Sequence, residues 1–430
     1  MVEQPAPRRV EPAFARALAS RAWLPAVTLV GLAVRLALVA VGRGELRFFD
    51  EHDYDAIARA LVSGGGYSLD GHASAWRPPG QVGLIAVVYA VVGARPLWVE
   101  VAQSILLCAL PWAIAKLTRR VSQDRFAPPI AAALASLHPG LAYGAATLYP
   151  ATLTALGLTL GIWLVVETAE RRTTAHALGA GTALGVAALA TPYFAPLPLV
   201  AAFLLGRRAA KGALVVALAG LLPIAAWAVR NQVVMGTAKT ATNAGYNLAL
   251  GANDRATPRS GNWIEPDPID PRVREDEVER DAVWSADARE WIARNPGRWS
   301  MLAAGRVIAI VDSVGQARTR GAHDSLAGRG AGWLLLPWVL LGLVGLVLER
   351  RSLAARLTLA AVLLIAVSAA LTIVKPRFRF PIDPALATFA VVAVSTGLRR
   401  LRATGRSVLG AEREPGAAQA DADSPKRPAS

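Results

Sequence analysis

Residues 22–42 read AWLPAVTLVGLAVRLALVAVG, and residues 48–59, a few positions on, read FFDEHDYDAIAR. The first run holds a single charge, Arg35, over the roughly 20 residues that a helix needs to cross a bilayer. The second packs Asp50, Glu51, Asp53 and Asp55 into six positions just where that helix returns to water. An acidic cluster at a membrane boundary calls for a structural partner or a chemical task.

Composition extends the first reading to the whole chain. The 430 residues are 54% hydrophobic and 18% charged, with a mean hydropathy of +0.38; a soluble domain carries roughly 25% charged residues. Further apolar runs lie at 96–116, 126–145, 148–167, 174–191, 193–206, 212–229, 331–348, 354–374 and 382–398. Segment 193–206 is short for a span, and 299–314 is apolar but too short and too charged to count. The expected fold is an all-α polytopic membrane protein of about ten transmembrane helices.

The formal charge of +15 is distributed as orientation requires, which argues against nucleic-acid binding. Arg119, Arg120 and Arg125 follow the second run, Arg171 and Arg172 the fourth, and Arg207, Arg208 and Lys211 the sixth. Arg350 and Arg351 follow the eighth, and Arg399, Arg400 and Arg402 the last. Basic loops after every even-numbered span mark the cytoplasmic side. Both termini then face the cytoplasm, with no evident cleavable signal, and 43–95 and 230–330 form outer loops. The expected organisation is a cytoplasmic tail over 1–21, a membrane domain over 22–400 and a disordered cytoplasmic tail over 401–430, rich in Ala, Pro, Ser and charge.

Within the first outer loop, Tyr54, Ile57, Ala58, Leu61 and Val62 recur at helical spacing, opposite Asp55 and Arg59, until Gly64-Gly65-Gly66 ends the pattern. That predicts a short amphipathic helix at the membrane surface. Segment 80–94, following Arg77-Pro78-Pro79-Gly80, reads as an interfacial or partly inserted helix. In the second outer loop, 273–299 reads as a charged helix ending in an interfacial belt from Trp291 to Trp299. The lone Cys108 forms no intrachain disulfide, and the five histidines lack ligand spacing, so neither metal nor cofactor is expected.

Helix capping accounts for one or two of the four acids. Four together raise one another's pKa unless cations or hydrogen-bond donors meet them. The functional alternative is a general base with neighbours that orient an acceptor. Cations on the unfavoured outer side supply a counterpart: Lys375, Arg377 and Arg379, alternating with Phe378 and Phe380 in KPRFRFP, and Arg77 and Arg230 at helix edges. Each alone reads as a snorkelling anchor, whereas three within five residues fit a lipid-phosphate clamp. If the stretch is extended, Arg377 and Arg379 point one way and the rings the other.

A base and a phosphate clamp together suit transfer of a sugar from a polyprenyl phosphate. The phosphate already leaves well, so the reaction needs a carboxylate to deprotonate the acceptor and cations to hold the released charge. A simple glycoside hydrolase needs a carboxyl pair instead.

The order FDEHDY, GGGYS, RPPG, TLYPATL, GYNLALGAN and PRFRFPIDP over roughly 22–400 resembles the family-39 branch of the C-type membrane glycosyltransferases. That branch includes protein O-mannosyltransferases and lipid A aminoarabinose transferases. The resemblance implies Asp50 as the catalytic acid, Glu51 as its partner and Tyr54 as an aromatic of the same motif. It places Arg77 at the cation before the double proline and Arg379 in the late Arg-aromatic segment. Asp53 and Tyr54 are the candidates for orienting the acceptor. Several relatives carry a second acid at the outer start of the fourth span, where this chain has Tyr149-Pro150-Ala151-Thr152.

The implied partners are a polyprenyl-phosphate sugar donor, a glycan, lipid or protein acceptor, and membrane lipid. The implied location is the inner or plasma membrane, with chemistry on the periplasmic or extracellular face. Asn243, Tyr246, Asn247 and Asn253 are possible sugar contacts, but Gly/Asn clusters also simply make turns. Trp76 and Trp263 suit stacking on a pyranose or an interfacial belt, and His52 reads as a solvent-exposed loop histidine. The alternative function is a transporter or flippase of lipid-linked precursors. Transporters place ionisable groups at mid-membrane depth, where this sequence offers chiefly Arg35.

Overall fold

The computed structural model describes residues 13–258, 276–311 and 326–411. Its helices are α1 (Ala13–Ala19), α2 (Trp23–Gly42), α3 (Phe49–Val62), α4 (Pro79–Val92), α5 (Pro96–Leu106), α6 (Ala109–Val121), α7 (Ala127–Ser136), α8 (Pro139–Ala145) and α9 (Ala151–Arg171). They continue as α10 (Thr174–Ala190), α11 (Leu197–Leu205), α12 (Ala210–Met235), α13 (Ala244–Gly251), α14 (Glu277–Arg294), α15 (Pro296–Val311), α16 (Leu326–Leu348), α17 (Leu353–Leu371) and α18 (Asp383–Ala411). A two-residue hairpin pairs Ser68–Leu69 with His72–Ala73.

Every apolar run read from the sequence coincides with a helix or a broken helix. Five helical segments are long and apolar enough to cross a membrane: Trp23–Gly42, Pro96–Val121, Ala151–Arg171, Arg207–Met235 and Leu353–Leu371. Shorter apolar helices include Ala127–Ser136, Thr174–Ala190, Pro192–Leu205 and Gly332–Leu348. On α12 the side chains of Leu214, Leu218, Leu222, Val229 and Val233 are exposed. A stripe of that length would associate or aggregate in water; facing acyl chains, it is the expected outer surface of a polytopic helical membrane protein.

Close helix packing at the centre relies on small residues, as membrane bundles do where lipid removes the hydrophobic drive between helices. A Cβ on Gly185 of α10 would fall 2.8 Å from the Gly220 carbonyl oxygen of α12, so the two backbones nearly touch. Around that contact, Leu158, Ile162, Phe194, Leu357, Ile365 and Phe389 form one buried core. A second cluster, with Tyr54, Ile57, Val82, Ile85 and Tyr89, seats α3 and α4 on Leu148 and Tyr149.

On α3, Tyr54, Ile57 and Ala58 are buried while Leu61 and Val62 are exposed. Trp291 and Trp299 pack on Ala249, Ala252 and Ala288 and cover α13. Residues 299–311 lie in α15, which is not among the candidate spans, as its length and charge predict, and whose side chains Leu302, Arg306 and Ile310 are buried. One expectation needs correction. The last helix runs on to Ala411, past the point where the sequence suggests a tail. Trp263 lies outside the described residues.

Candidate active site

The site is built on the first turn of α3. Successive helical residues point about 100° apart, so Asp50 and Glu51 cannot share a direction. Glu51 turns inward and is 1% exposed. Its carboxylate accepts backbone N–H groups from Arg47 at 3.0 Å, Phe48 at 2.9 Å and Leu148 at 2.9 Å. Phe48 has no side-chain acceptor, so this is the carboxylate half of a capping box, extended to the turn before α9. Burial raises the Glu51 pKa, and the three backbone donors oppose that rise. Glu51 thus fixes where α3 begins, and its oxygens are occupied by backbone.

Asp50 faces a different way, into a cavity of about 380 Å³. Its Oδ1 accepts Arg77 Nη2 at 2.8 Å and its Oδ2 accepts Arg377 Nη2 at 2.6 Å. Burial alone would raise this carboxyl, but Arg77, Arg377 and Lys375 together hold it well below the usual carboxylate range. Asp53 lies one turn on and receives the same guanidinium, Arg77 Nε at 3.0 Å and Nη2 at 2.6 Å, with Trp76 Nε1 at 3.1 Å. Its role is to aim Arg77 and Trp76, and it is absent from the cavity wall. Tyr54 does line the cavity, with Arg77 5.5 Å above its ring, and burial pushes its phenol up to about 12.

The loop presenting Arg77 is held from outside. Glu277, at the start of α14, accepts Ser74 Oγ at 2.7 Å, Ala75 N at 2.8 Å and the Thr242 hydroxyl. Arg230 donates to the Ser74 carbonyl at 2.8 Å and the Tyr67 carbonyl at 2.9 Å. Arg230 therefore braces this loop and does not line the cavity. Gly80 permits the next contact: a Cβ there would lie 2.5 Å from Ala190 N, so the RPPG turn sits directly on the end of α10.

The KPRFRFP stretch is not extended. Pro376–Phe378 form a turn of 3-10 helix, and that turn separates the two arginines. Arg377 reaches Asp50 and stacks 3.9 Å from the centre of the Tyr149 ring. Lys375 also lines the cavity. Arg379 points the other way: Nε donates to Asp383 at 2.7 Å and Nη1 to the Ile310 carbonyl at 2.7 Å. His138 Nε2 contacts the other Asp383 oxygen at 3.1 Å. Arg379 thus belongs to a buried lock between α8, α15 and α18, which leaves Arg77, Lys375 and Arg377 as the cations at the candidate site.

With Lys375 protonated, three cations here gather around the carboxylates of Asp50 and Asp53 at one cavity. Such a site is suited to an anion with several oxygens. The cavity is also lined by Trp76, Asn243, Tyr246 and Asn247, with Trp76 and Tyr246 rings 5.8 Å apart. Asn253 instead donates to the Ala249 and Leu250 carbonyls, and His52 is exposed. Sequence reasoning missed Tyr149 and Tyr193 as wall residues. Tyr149 was visible as the departure from the expected acid, and the structure places it beneath Arg377. Arg35 is tied to the Ser104 and Ser136 carbonyls at 3.3 and 3.1 Å, which gives that intramembrane charge a structural role.

Burial, with repulsion from Arg377 and Arg77, lowers Lys375 to about 7, while Asp50 acts the other way. Its ammonium is present below that pH and lost above it. If Lys375 helps hold an anion, affinity for a phosphate-bearing ligand falls as pH rises through about 7, because the ammonium is then lost. Lys375→Arg keeps its charge and should flatten that limb in a binding profile taken from about pH 6 to about pH 9. An unchanged limb in the variant would assign the ionisation elsewhere.

No protein-family model matches the chain, and no curated protein sequence matches it. Among solved structures, the chain is similar to the apo oligosaccharyltransferase of Archaeoglobus fulgidus, at 14% identity and a TM-score of 0.49, over 90% of this chain and 52% of that one. It is also similar to AglB of that organism in complex with an inhibitory peptide and a dolichol-phosphate, at 16% identity, a TM-score of 0.48, and 93% and 52% coverage. ArnT from Cupriavidus metallidurans bound to undecaprenyl phosphate matches at 16% identity and a TM-score of 0.38, with 85% and 77% coverage. The chain spans about half the length of the archaeal oligosaccharyltransferase.

Proposed function

We propose that the protein is an integral-membrane glycosyltransferase that moves a sugar from a polyprenyl-phosphate donor to an acceptor on the non-cytoplasmic face of the inner or plasma membrane. The observation that carries this reading is the Arg77–Asp50–Arg377 bridge. It puts a carboxylate and two guanidiniums on one cavity wall at the end of a membrane-spanning bundle. The motif order described above supports the same class.

The chemistry follows from the charges. Before the donor arrives, Asp50 is ionised but weakly basic, because both its oxygens are paired. A phosphodiester seated on Arg77, Arg377 and Lys375 competes for the same N–H groups, and its negative charge raises the basicity of Asp50. Asp50 then accepts the proton of an acceptor hydroxyl or amine as that atom bonds to the anomeric carbon. The bond from that carbon to the phosphate oxygen breaks, and its electron pair leaves with the phosphate. The cations take up the added charge, so no acid is needed on the leaving oxygen. Trp76, Tyr246, Asn243 and Asn247 supply the aromatic face and amides that suit a sugar ring.

Arg377 offers the test most specific to the clamp. Arg377→Lys keeps a charge but loses the planar fork that spans two acceptors. Transition-state stabilisation should fall by roughly 2.7–4 kcal/mol, as on removal of other charge-stabilising donors. Transfer rate and polyprenyl-phosphate affinity should both be measured for the Lys and Ala variants. Parental values in both would leave Arg377 as a structural tie between Asp50 and Tyr149.

A further inference from the structure

A second cavity, of about 470 Å³, lies far from Asp50, among Lys116, Arg119 and Arg120 of α6, Trp163, Glu167 and Arg171 of α9, and His176 of α10. The path of α9 sets the separation. Ala151 lines the first cavity and Glu167 the second, and the helix rises about 24 Å between them at 1.5 Å per residue. That approaches the hydrocarbon thickness of a bilayer, about 30 Å. The two cavities therefore lie near opposite ends of α9, at a separation close to a bilayer's hydrocarbon thickness.

The acids of this second cavity are already occupied. Glu167 accepts Arg120 through two bonds of 2.8 and 2.9 Å, Trp163 Nε1 at 3.1 Å, and Arg171 Nε at 2.6 Å. Glu170 takes Arg120 Nη1 at 2.6 Å. Lys116 has its ammonium 4.5 Å from the centre of the Trp163 ring. Among the described residues, neither Lys116 nor Arg119 is paired with a carboxylate. The frame is thus internally neutralised, and two further cations, Lys116 and Arg119, line the cavity.

Their arrangement specifies the ligand further. Trp112, Lys116 and Arg119 recur at i, i+4 and i+7, which places them in one stripe along α6. Trp112 is 44% exposed and lies one turn deeper in the membrane than Lys116. An apolar ring, then an ammonium, then a guanidinium is the order of groups that complements a phospholipid, from acyl chain to phosphate. We propose that this cavity binds the phosphate headgroup of an anionic phospholipid of the adjoining leaflet, with Lys116 and Arg119 on the phosphate and an acyl chain along Trp112. Orientation by positive charge alone needs basic residues in the loops, but it needs no cavity, aromatic floor or stripe. Basic pockets between helices at this boundary are suited to anionic headgroups.

The experiment uses delipidated full-length protein in neutral detergent, with retained lipid read by native mass spectrometry. The probes are phosphatidylglycerol, phosphatidylcholine and soluble glycerol 1-phosphate. Phosphatidylglycerol should be retained in preference to phosphatidylcholine, and glycerol 1-phosphate should not displace it at equal concentration. Each cation near an anionic headgroup contributes about fivefold in affinity. Lys116→Gln with Arg119→Gln should therefore weaken retention about 25-fold. The pair Arg207→Gln and Arg208→Gln removes the same charge from an exposed turn elsewhere and should leave retention unchanged. Equal loss in both double variants, equal retention of the two lipids, or displacement by glycerol 1-phosphate would each overturn the site.

Discussion

Asp50→Asn is expected to lower transfer by about 10²–10⁴, the range for loss of a general base, while the protein still inserts and binds polyprenyl phosphate. The amide retains an oxygen to accept from Arg77 or Arg377, so the wall should keep its shape, but it cannot take a proton. With one carboxylate fewer beside Arg77 and Arg377, lipid-phosphate affinity should hold or rise. Single-turnover transfer and equilibrium lipid binding on the same preparation separate the two effects. A full rate in folded Asp50→Asn protein would reduce Asp50 to a tie between α3 and the loop after α17.

Arg379→Ala is expected to act on stability. Asp383 is 5% exposed and Arg379 3% exposed, and the arginine also serves the Ile310 and Val311 carbonyls at the end of α15. Removing one partner of a buried ion pair strands the other, at a cost of about 3–5 kcal/mol. Arg379→Lys should recover part of this, since one ammonium restores the charge without reaching all three acceptors in a planar fork. Thermal unfolding in detergent should register the loss, with polyprenyl-phosphate affinity of the remaining folded protein unchanged. Unaltered unfolding with lost lipid affinity would return Arg379 to the clamp.

The contrast between Arg377 and Arg379 shows what the sequence could carry. The spans were legible because roughly 20 uncharged residues have few other uses, and the basic turns after alternate spans repeat the signal. The acidic cluster was legible as a candidate site because it sits beside a span. Its internal division of labour was not. Asp50 and Glu51 are chemically alike, and their separate roles depend on a helix starting at Phe49, which sends one to the cavity and the other to the backbone of Leu148. The KPRFRFP alternation suggested a strand, but its first proline opens a 3-10 turn, and that turn splits the arginines. The pairing of Asp50 with Arg77 and Arg377 spans 27 and 327 residues of chain. No local pattern encodes contacts at those separations; packing of α3, α4 and the loop after α17 creates them.

The most direct measurement gives the purified protein a panel of radiolabelled polyprenyl-phosphate sugars with candidate acceptors and follows label and lipid separately. The account predicts that at least one donor is consumed, releasing polyprenyl phosphate in step with sugar transfer, and that Asp50→Asn stops both. If no donor is consumed, yet the protein in vesicles moves an intact lipid-linked sugar between leaflets, and Asp50→Asn moves it equally well, the protein is a flippase and the account is contradicted.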